Sequence, residues 1–342
     1  MSEPVLNILI DVAIHEPSLD RLKAMPGMRV AVTDTPDQEI AANLPDDQVR
    51  DLDILFCTYL PKNHQHMERL KYLQIGSAGY EQLRGQGLPG RHLRACNASG
   101  VFDTSIAEWN IAMMVNLARD LMQMIRNQEA AHWERDSPKF QRSIRGSVVG
   151  LWGYGGLARQ TARLAKALGL VVHVLTRDGV KPRPNTYVVP ESGDPEGTLP
   201  DREFTSGQET EFLSSLDFLV VALPLNAHTR GLIGDPQLKA LPRRAFVLNP
   251  ARGPLIEEGA LLRALEERQI AGAALDAHYH YPMPPDHPLW RFPNVIMTPH
   301  ISGSALGEYY VPRIWDIFMQ NLERLRTGQP LLNELSAAQL GG

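Results

Sequence analysis

Residues 147–176 read SVVGLWGYGGLARQTARLAKALGLVVHVLT. The segment opens and closes with apolar runs rich in Val and Leu, which are typical of buried strands, and the stretch between them has the periodicity of an amphipathic helix. Gly153, Gly155 and Gly156 separate the first run from that helix. The order strand, glycine turn, helix and strand predicts a βαβ unit of a doubly wound α/β domain.

The turn itself has the spacing G-x-G-x-x-A, formed by Gly153, Gly155 and Ala158. The first glycine permits a tight turn, the second lets the backbone approach a pyrophosphate, and the small third residue lets the helix pack closely on the strand. The start of the helix then presents unpaired N–H groups to the phosphates. Because a strand and a helix frame the motif, we predict a nicotinamide dinucleotide site at Gly153, Gly155, Gly156 and Leu157.

The residues that distinguish the two nicotinamide dinucleotides are expected about 20 residues after the glycine turn. Thr176, Arg177 and Asp178 stand there. A guanidinium and a hydroxyl suit a 2′-phosphate, because Arg donates hydrogen bonds in a fork and Thr donates a further one. The sequence therefore favours NADP as cofactor. NAD stays open, because Asp178 can rotate in and restore a contact to the ribose hydroxyls.

Strand-like and helix-like stretches also alternate along the rest of the chain. This alternation predicts parallel sheets covered by helices. Ser105 and Glu108 have the spacing of a capping box, so a long helix is expected to begin near residue 106. Residues 178–210 are rich in Pro, Gly, Asp and Thr, and we expect them to form an extended loop inserted in the doubly wound domain.

Length, composition and charge limit the class of protein. A chain of 342 residues predicts about two domains, and 43% apolar with 21% charged residues exclude wholesale disorder. The formal charge is −5 and no long run of like charges occurs, so we expect no nucleic acid and no membrane as partner. Two cysteines, Cys57 and Cys96, and an N-terminus unlike an export signal predict a cytoplasmic protein.

Seven segments between residues 70 and 305 support a more specific interpretation. They are GSAGYEQL, GVFDTSIAEW, GLWGYGGLA, LDFLVVALPLNAHTRGLI, LNPARGPLIEEGALLRAL, IAGAALDA and NVIMTPHISG. Together and in this order they resemble the D-isomer-specific 2-hydroxyacid dehydrogenases, a family that includes glyoxylate and hydroxypyruvate reductases, phosphoglycerate dehydrogenase and formate dehydrogenase. The resemblance implies an enzyme that transfers a hydride between NAD(P) and a small 2-keto or 2-hydroxy acid, and a homodimer.

The resemblance also implies the domain organisation. It predicts an α/β protein of two doubly wound domains, with a Rossmann dinucleotide-binding domain inserted into a flavodoxin-like substrate-binding domain. The boundaries expected by analogy give a substrate-binding domain formed by residues 1–105 and 303–342 and a nucleotide domain formed by 106–302.

Two side chains are assigned to the chemistry by the resemblance. Arg252, in NPARG, matches the arginine that binds the substrate carboxylate, and a permanent cation there also stabilises the oxyanion that forms as hydride arrives. His300, in TPHISG, matches the general acid and base, because imidazole can protonate an alkoxide near neutral pH. The backbone around Ala78 and Gly79 matches a second carboxylate clamp, and Phe102 is expected at the substrate side chain. The residues that the resemblance places at the cofactor, besides Arg252 and His300, are Leu223, Pro224, Thr229, Asn249, Ala251, Asp276 and Gly303.

One position departs from the family pattern. A glutamate that partners the catalytic histidine normally stands five residues after the aspartate of the LD pair, and this position is Tyr281. A neutral phenol supplies no negative charge, so we expect His300 to hold its proton less firmly. Formate dehydrogenases also lack that glutamate and share the pattern Asp-His-Pro found at 286–288, which makes formate an alternative substrate. Phe102 argues against formate, because those enzymes have asparagine there.

Two further alternatives concern metal and turnover. His278, His280, His287 and His300 lie close in sequence, but their spacing lacks an accompanying zinc-ligand pattern, so we predict no metal. A dinucleotide-sensing protein that keeps the fold without useful turnover is the alternative from another class. The missing glutamate favours the sensor, and the presence of both Arg252 and His300 favours the enzyme.

Overall fold

The protein is described here by a computed structural model that covers residues 5–33, 43–91 and 93–341. The chain forms two compact units. The first unit contains the chain up to Val101, the short segment Pro184–Val189, and the chain from Leu306 onward. The second unit contains Phe102–Arg183 and Pro190–Ala305.

The first unit is built on a parallel sheet of five strands in the order β2-β1-β3-β4-β5. This is the strand order of flavodoxin-like folds. The strands β3 and β4 are buried along their whole length, as expected for a sheet covered on both faces. The strands are β1 (Leu6–Asp11), β2 (Met28–Val32), β3 (Ile54–Cys57), β4 (Tyr72–Ile75) and β5 (Arg94–Cys96). The helices are α1 (Glu16–Lys23), α2 (Asp46–Val49), α9 (Tyr310–Arg326) and α10 (Ala337–Gly341).

Helix α9, near the C-terminus, packs on the sheet formed by the first hundred residues. The ring of Phe318 stacks on that of Phe56 with 4.5 Å between the centroids, and Trp315 meets Phe56 edge-on at 5.6 Å. The Trp315 indole also donates a hydrogen bond to the carbonyl of Ala13 at 2.8 Å. The two ends of the chain therefore share one core, which is the arrangement that an inserted domain requires.

The second unit is built on a parallel sheet of seven strands in the order β12-β11-β10-β9-β6-β7-β8. From its other end this order reads as the Rossmann sequence of strands, extended by one strand. The strands are β6 (Val148–Trp152), β7 (Val171–Thr176), β8 (Arg202–Thr205), β9 (Phe218–Val221), β10 (Phe246–Asn249), β11 (Gly272–Leu275) and β12 (Val295–Met297). The helices are α3 (Asp103–Ala118), α4 (Leu121–Glu129), α5 (Gly156–Ala167), α6 (Glu209–Ser214), α7 (Asp235–Ala240) and α8 (Glu258–Glu266). The predicted fold class is thus confirmed.

The long helix expected near residue 106 begins earlier than predicted and is interrupted. Helix α3 begins at Asp103 without a side-chain cap, so Ser105 lies inside the helix and the predicted capping box does not form. The helix ends before Asp120, whose φ of 49° is left-handed and interrupts the helical hydrogen bonds, and α4 starts one residue later. Two helices therefore replace the one predicted.

The segment 178–210 is also more ordered than an extended loop. It contains strand β8, which pairs in parallel with β7 at the edge of the sheet. In addition, Pro184–Val189 belongs to the first unit, where the Tyr187 hydroxyl donates to the carboxylate of Asp316 at 2.9 Å. Besides the two ends of that segment, the chain passes between the units at 101–102 and 305–306, and the domain boundaries expected at 105 and 303 stay a prediction.

Across the described ranges, no helix is both long and apolar enough to cross a membrane.

Candidate active site

The glycine turn lies between β6 and α5. Gly153 has a φ of 95°, and a Cβ at this position would collide with the carbonyl group of Ala222. Its N–H donates a hydrogen bond to the carbonyl of Leu175 at 2.8 Å. Glycine alone adopts this left-handed conformation without strain, so the first glycine of the motif is required by the path of the chain.

The next two glycines have different surroundings. A Cβ on Gly155 would stand 3.8 Å from Nη1 of Arg183, with no other described atom within 4 Å. A Cβ on Gly156, the first residue of α5, would overlap the carboxylate of Asp103. The backbone at Gly155 is therefore open to a ligand on the side where the Arg183 guanidinium lies.

The end of β7 carries the three residues expected to select the dinucleotide. The hydroxyl oxygen of Thr176 is buried and has no hydrogen-bond partner among the described residues. Arg177 points outward, with 88% of its side chain exposed, and its Nε donates to Asp178 Oδ2 at 2.8 Å. The ion pair with Arg177 thus holds the Asp178 carboxylate, the group that would contact a ribose. The buried Thr176 hydroxyl has no hydrogen-bond partner among the described residues.

Arg252 follows β10 in a turn that its neighbours fix. The Asn249 side-chain amide donates to the carbonyl of Arg252 at 2.9 Å, and the Ala251 N–H donates to the Asn249 side-chain oxygen at 3.1 Å. Gly253 comes next, and a Cβ there would collide with the backbone of His278. Asn249 therefore acts through the backbone, because its side chain sets the conformation of the turn that carries Arg252.

Asp276, which follows β11, holds the loop that contains His300. Its carboxylate is completely buried and accepts four hydrogen bonds within the loop. The donors are the Thr298 hydroxyl at 2.6 Å, the Ile301 N–H at 2.9 Å, and the N–H and hydroxyl of Ser302 at 3.0 and 2.5 Å. The loop in turn holds His300 at a φ of 58°, a left-handed conformation that β-carbon sterics disfavour. Asp276 therefore fixes a backbone that the sequence alone does not favour.

The surroundings of His300 lower its pKa below the usual histidine value. Partial removal of the ring from water is the largest cause, and the positive charge of Arg252 adds to it. The carboxylate of Asp276 opposes this shift, and His278 reinforces it. The imidazole is therefore biased toward its neutral form near neutral pH.

These groups lie at one edge of the sheet. Gly153 follows the carboxyl end of β6, and Arg252, Asp276 and His300 follow those of β10, β11 and β12. Because all the strands are parallel, their carboxyl ends meet at the same edge, where open α/β sheets bind ligands. The arrangement brings a glycine turn, a cation and an imidazole to this edge.

Comparison with known proteins identifies the family. Residues 111–302, more than half of the chain, match the model of the "D-isomer specific 2-hydroxyacid dehydrogenase, NAD binding domain". The chain belongs to the D-isomer specific 2-hydroxyacid dehydrogenases. This dehydrogenase is accordingly an NAD(P)-binding oxidoreductase that transfers hydride, as its Rossmann unit and glycine turn indicate.

Individual relatives are distant. The chain is 27% identical over 314 residues to glyoxylate reductase of Thermofilum pendens, covering 89% of this chain and 83% of the relative. It is 30% identical over 274 residues to D-3-phosphoglycerate dehydrogenase of Archaeoglobus fulgidus, covering 80% of this chain but 48% of the longer relative. Among solved structures it is similar to the NADPH-dependent glyoxylate/hydroxypyruvate reductase SmGhrA of Sinorhizobium meliloti, with a TM-score of 0.74, 22% identity, and 98% and 99% of the two chains covered.

The residues of the second unit fit a dinucleotide. Gly155 leaves the backbone bare at the turn, and the buried Thr176 hydroxyl lacks a partner that a ligand oxygen can provide. Leu223 borders Gly153, since its Cδ2 would lie 3.1 Å from a Cβ there. The Thr229 hydroxyl donates to the carbonyl of Pro224 at 2.6 Å and so shapes the turn after β9.

Tyr281 lies beside His300, at the position where the family glutamate was missing. The two ring centroids are 5.5 Å apart. The Tyr281 hydroxyl accepts a hydrogen bond from the backbone N–H of His278 at 3.1 Å, and in the described part of the chain it makes none to the His300 imidazole. The phenol thus occupies the place next to the histidine without supplying a charge.

His278 is a residue of this site that sequence reasoning considered only as a metal ligand. It is 7% exposed, its Nε2 lies 2.7 Å from the carbonyl of Thr298, and its Nδ1 is buried with no partner among the described residues. The carbonyl requires a proton on Nε2, so His278 ties the segment after β11 to the His300 loop. Its position beside Tyr281 depends on tertiary structure, and no sequence pattern indicated it.

The predicted carboxylate clamp lies in the first unit. The Ser77 hydroxyl donates to the carbonyl of Gly79 at 2.7 Å, and the Asn97 side chain donates to the carbonyl of Ala78 at 2.7 Å. These bonds shape the turn after β4. Phe102 belongs to the second unit, where its ring lies against Gly303, 3.1 Å from the position of a Cβ.

A cluster of three metal-ligating side chains lies elsewhere in the second unit. Ligand atoms of Glu258, His280 and His287 all lie within 4.8 Å of one another. However, the Leu289 N–H donates to Nδ1 of His287 at 3.2 Å, so Nε2 carries the proton and donates it to Glu258 at 2.6 Å. A neutral ring bound to metal through Nε2 would need that proton on Nδ1. The contacts are those of a hydrogen-bonded pair, and the absence of a metal stays a prediction.

Proposed function

We propose that this dehydrogenase reduces a 2-keto acid to the D-2-hydroxy acid, with NADPH as the favoured hydride donor. The observation that carries the proposal is that Arg252 and His300 follow strands β10 and β12, which flank β11 in the sheet, with the charge of Arg252 close enough to lower the pKa of His300. A keto acid needs both groups, because one must bind an anion and the other must deliver a proton.

The roles of the residues follow from their chemistry. When bound, the nicotinamide supplies the hydride that adds to the carbonyl carbon. Arg252 binds the substrate carboxylate and stabilises the negative charge that develops on the carbonyl oxygen. His300, protonated at the imidazole, donates its proton to that oxygen and is left neutral. In the reverse direction neutral His300, the form that its lowered pKa favours, accepts the proton of the hydroxyl.

Asp276 and Asn249 act as positioning residues in this scheme. Asp276 holds the loop of His300 through four hydrogen bonds, and Asn249 holds the turn of Arg252. In addition, the N–H groups of Asp276 and Ala277 both donate to the carbonyl of Asn249, at 3.1 and 3.3 Å. The turn that carries Arg252 is therefore hydrogen-bonded to the segment of Asp276, which holds the loop of His300. These bonds fix the position of the guanidinium relative to the imidazole. The assignment of the turn at Ala78 and Gly79, which lies in the first unit, to the substrate carboxylate stays a prediction.

The preference for NADP is supported by Thr176 and Arg177. The Thr176 hydroxyl is buried without a partner, and the Arg177 guanidinium is held at the surface by Asp178. A 2′-phosphate between them would satisfy the hydroxyl and engage the guanidinium in a charge-assisted hydrogen bond. The same ion pair keeps the Asp178 carboxylate from an NAD ribose.

The test measures the oxidation of NADPH and, separately, NADH with glyoxylate, hydroxypyruvate, pyruvate and phenylpyruvate. We expect at least one keto acid to support turnover, with a higher kcat/KM for NADPH. Arg177→Ala should reduce that preference, while Arg268→Ala, an exposed arginine of the same unit after α8, should not. Equal use of NADH and NADPH by the wild type would refute the cofactor proposal.

Formate is a second candidate substrate, because Tyr281 leaves His300 without the partner that acid–base chemistry uses. Formate oxidation needs hydride transfer alone, so a neutral His300 would not impede it. Reduction of NADP by formate, together with no turnover of any keto acid, would favour this alternative.

We also propose that the dehydrogenase is a homodimer formed through its second unit. The segment at and after α4 exposes apolar side chains: Ile125 is 41% and Trp133 is 90% exposed. Met124, Ala131 and Phe140 line the groove beside Trp133. Sedimentation should give the mass of a dimer, and Trp133→Glu should give a monomer. A wild-type monomer would contradict the proposal.

A further inference from the structure

A buried polar network attaches the segment after β7 to the helix of the glycine turn. Tyr154, which lies inside the turn, donates its hydroxyl proton to the carboxylate of Asp194 at 2.6 Å. The same carboxylate accepts the N–H groups of Thr198 at 3.0 Å and Leu199 at 3.1 Å. Tyr154 and Asp194 are 7% and 5% exposed, and burial raises the pKa of the phenol. The network thus fixes residues 194–199 against the turn.

Arg159 of α5 holds both arms of the segment. Its guanidinium donates to the carbonyl of Lys181 at 2.5 Å on the outgoing arm, and to the carbonyls of Asp194 and of Pro195 on the returning arm. Its Nε donates to the carbonyl of Tyr154 at 3.1 Å. Arg159 is 4% exposed, so these bonds form where breaking them would leave a buried charge unsatisfied.

The network determines where Arg183 lies. The N–H of Arg183 donates to the carbonyl of Pro195 at 3.2 Å, so its backbone is attached to the returning arm. Its Nη1 lies 3.8 Å from the position of a Cβ on Gly155. Gly155 is the glycine whose bare backbone lets a pyrophosphate approach the turn. A guanidinium is therefore held beside the place where two phosphates are expected.

Other charges face the same place. The carboxylate of Asp103 lies at Gly156, on the start of α5, and repels a second anion. The guanidinium of Arg159 lies over the Tyr154 ring at 4.7 Å, where the charge of Arg183 lowers its pKa, and it donates hydrogen bonds to backbone carbonyls. The guanidinium of Arg183 adds positive charge beside Gly155, which opposes the charge of Asp103 when a doubly charged pyrophosphate binds the turn.

We infer that Arg183, carried by the segment after β7, binds the pyrophosphate of the dinucleotide at the glycine turn. The inference rests on the proposed use of NAD(P) at this turn. In this scheme Arg183 binds the pyrophosphate that NADH and NADPH share. Thr176 and Arg177 bind the 2′-phosphate that only NADPH has. The affinity of both cofactors should therefore depend on Arg183.

The experiment measures the Kd of NADPH and of NADH by calorimetry for the wild type and for variants, without substrate. Arg183→Ala should weaken both cofactors by a similar factor of about ten or more, the loss expected for one charge-assisted hydrogen bond. Arg183→Lys should recover part of the affinity, because it keeps the charge but not the fork. Arg163→Ala, at an exposed arginine on α5, is the matched control and should leave both values unchanged.

A second variant tests the attachment of the segment. Asp194→Asn weakens the network without changing Arg183 itself. It should lower the affinity for both cofactors, and it should increase proteolytic cleavage within residues 178–201. Unchanged Kd values for Arg183→Ala, or a loss confined to NADPH, would overturn the inference. A wild type that binds neither cofactor would instead overturn the proposed function.

Discussion

Replacing Tyr281 by glutamate should move the alkaline limit of keto-acid reduction to higher pH. The ring centroids of Tyr281 and His300 lie 5.5 Å apart, so Tyr281→Glu brings a negative charge next to the imidazole. A neighbouring carboxylate favours the imidazolium and raises its pKa. Reduction needs the imidazolium as proton donor, so activity is lost as the pH rises through that pKa.

The distance between the rings sets the size of the effect. At the 5.5 Å between the centroids, two unit charges interact by about 0.75 kcal/mol in water and by about 3 kcal/mol at an effective dielectric constant near 20. One pKa unit corresponds to about 1.4 kcal/mol, so the pKa of His300 should rise by about 0.5 to 2 units. The starting value is below that of an ordinary histidine, because burial and Arg252 lower it.

The assay is the pH dependence of kcat/KM with NADPH and the best keto acid, together with NMR titration of the His300 ring. Tyr281→Gln is the matched control, because it has nearly the size of glutamate without the charge. Tyr281→Phe removes only the hydroxyl that accepts the His278 N–H. If the Glu and Gln variants show the same alkaline limit, the reasoning from charge is refuted.

Three other substitutions probe the turn, the loop and the arginine. Gly153→Ala should raise the Kd of NADPH more than about tenfold, because a left-handed alanine costs about 1–2 kcal/mol and its Cβ meets the Ala222 carbonyl; equal Kd values by calorimetry would contradict this. Asp276→Asn should lower the free energy of unfolding by about 2 kcal/mol or more, because an amide cannot accept all four loop hydrogen bonds. Urea unfolding checks it, with exposed Asp286→Asn as control, and an unchanged midpoint would refute it. Arg252→Lys should lower kcat/KM for the keto acid by about tenfold or more, a larger factor than any rise in the Kd of NADPH, because a single ammonium replaces a fork; steady-state kinetics with calorimetry separate the two effects.

The parallel sheets and the glycine turn were predictable from the sequence because their signals are local. Strands such as β9 and β10 are buried throughout, so each appears as a continuous apolar run. The turn needs glycine for reasons of backbone geometry that a single residue type reveals. Fold class and dinucleotide site therefore follow from a few segments.

The segment after β7 was less predictable because tertiary contacts determine it. Strand β8 reads REFT, and only Phe204 of its residues is buried, so no apolar run marks it. The break at Asp120 depends on one left-handed residue inside an otherwise helical pattern. Arg183 looks like any arginine in a polar loop, and the Tyr154–Asp194–Arg159 network that positions it joins residues up to 40 apart.

In the candidate site as well, residue types were predictable from the sequence, whereas contacts that depend on tertiary structure were not. The types of Arg252 and His300 indicate their chemistry, and the sequence placed Asp276 at the cofactor. The geometry adds that the Asp276 carboxylate holds the loop of His300, which no spacing reveals. The absence of a carboxylate at position 281 was readable, whereas the hydrogen bond from His278 to the Tyr281 hydroxyl was not.

The most direct test of the proposed activity is the consumption of NADPH by purified wild-type protein with a panel of 2-keto acids, compared with His300→Gln and Arg252→Ala. We expect turnover of at least one keto acid by the wild type, a D-hydroxy acid as product, and a loss of turnover in both variants that exceeds any loss of NADPH affinity. No turnover of any keto acid, or turnover that survives His300→Gln unchanged, would contradict it.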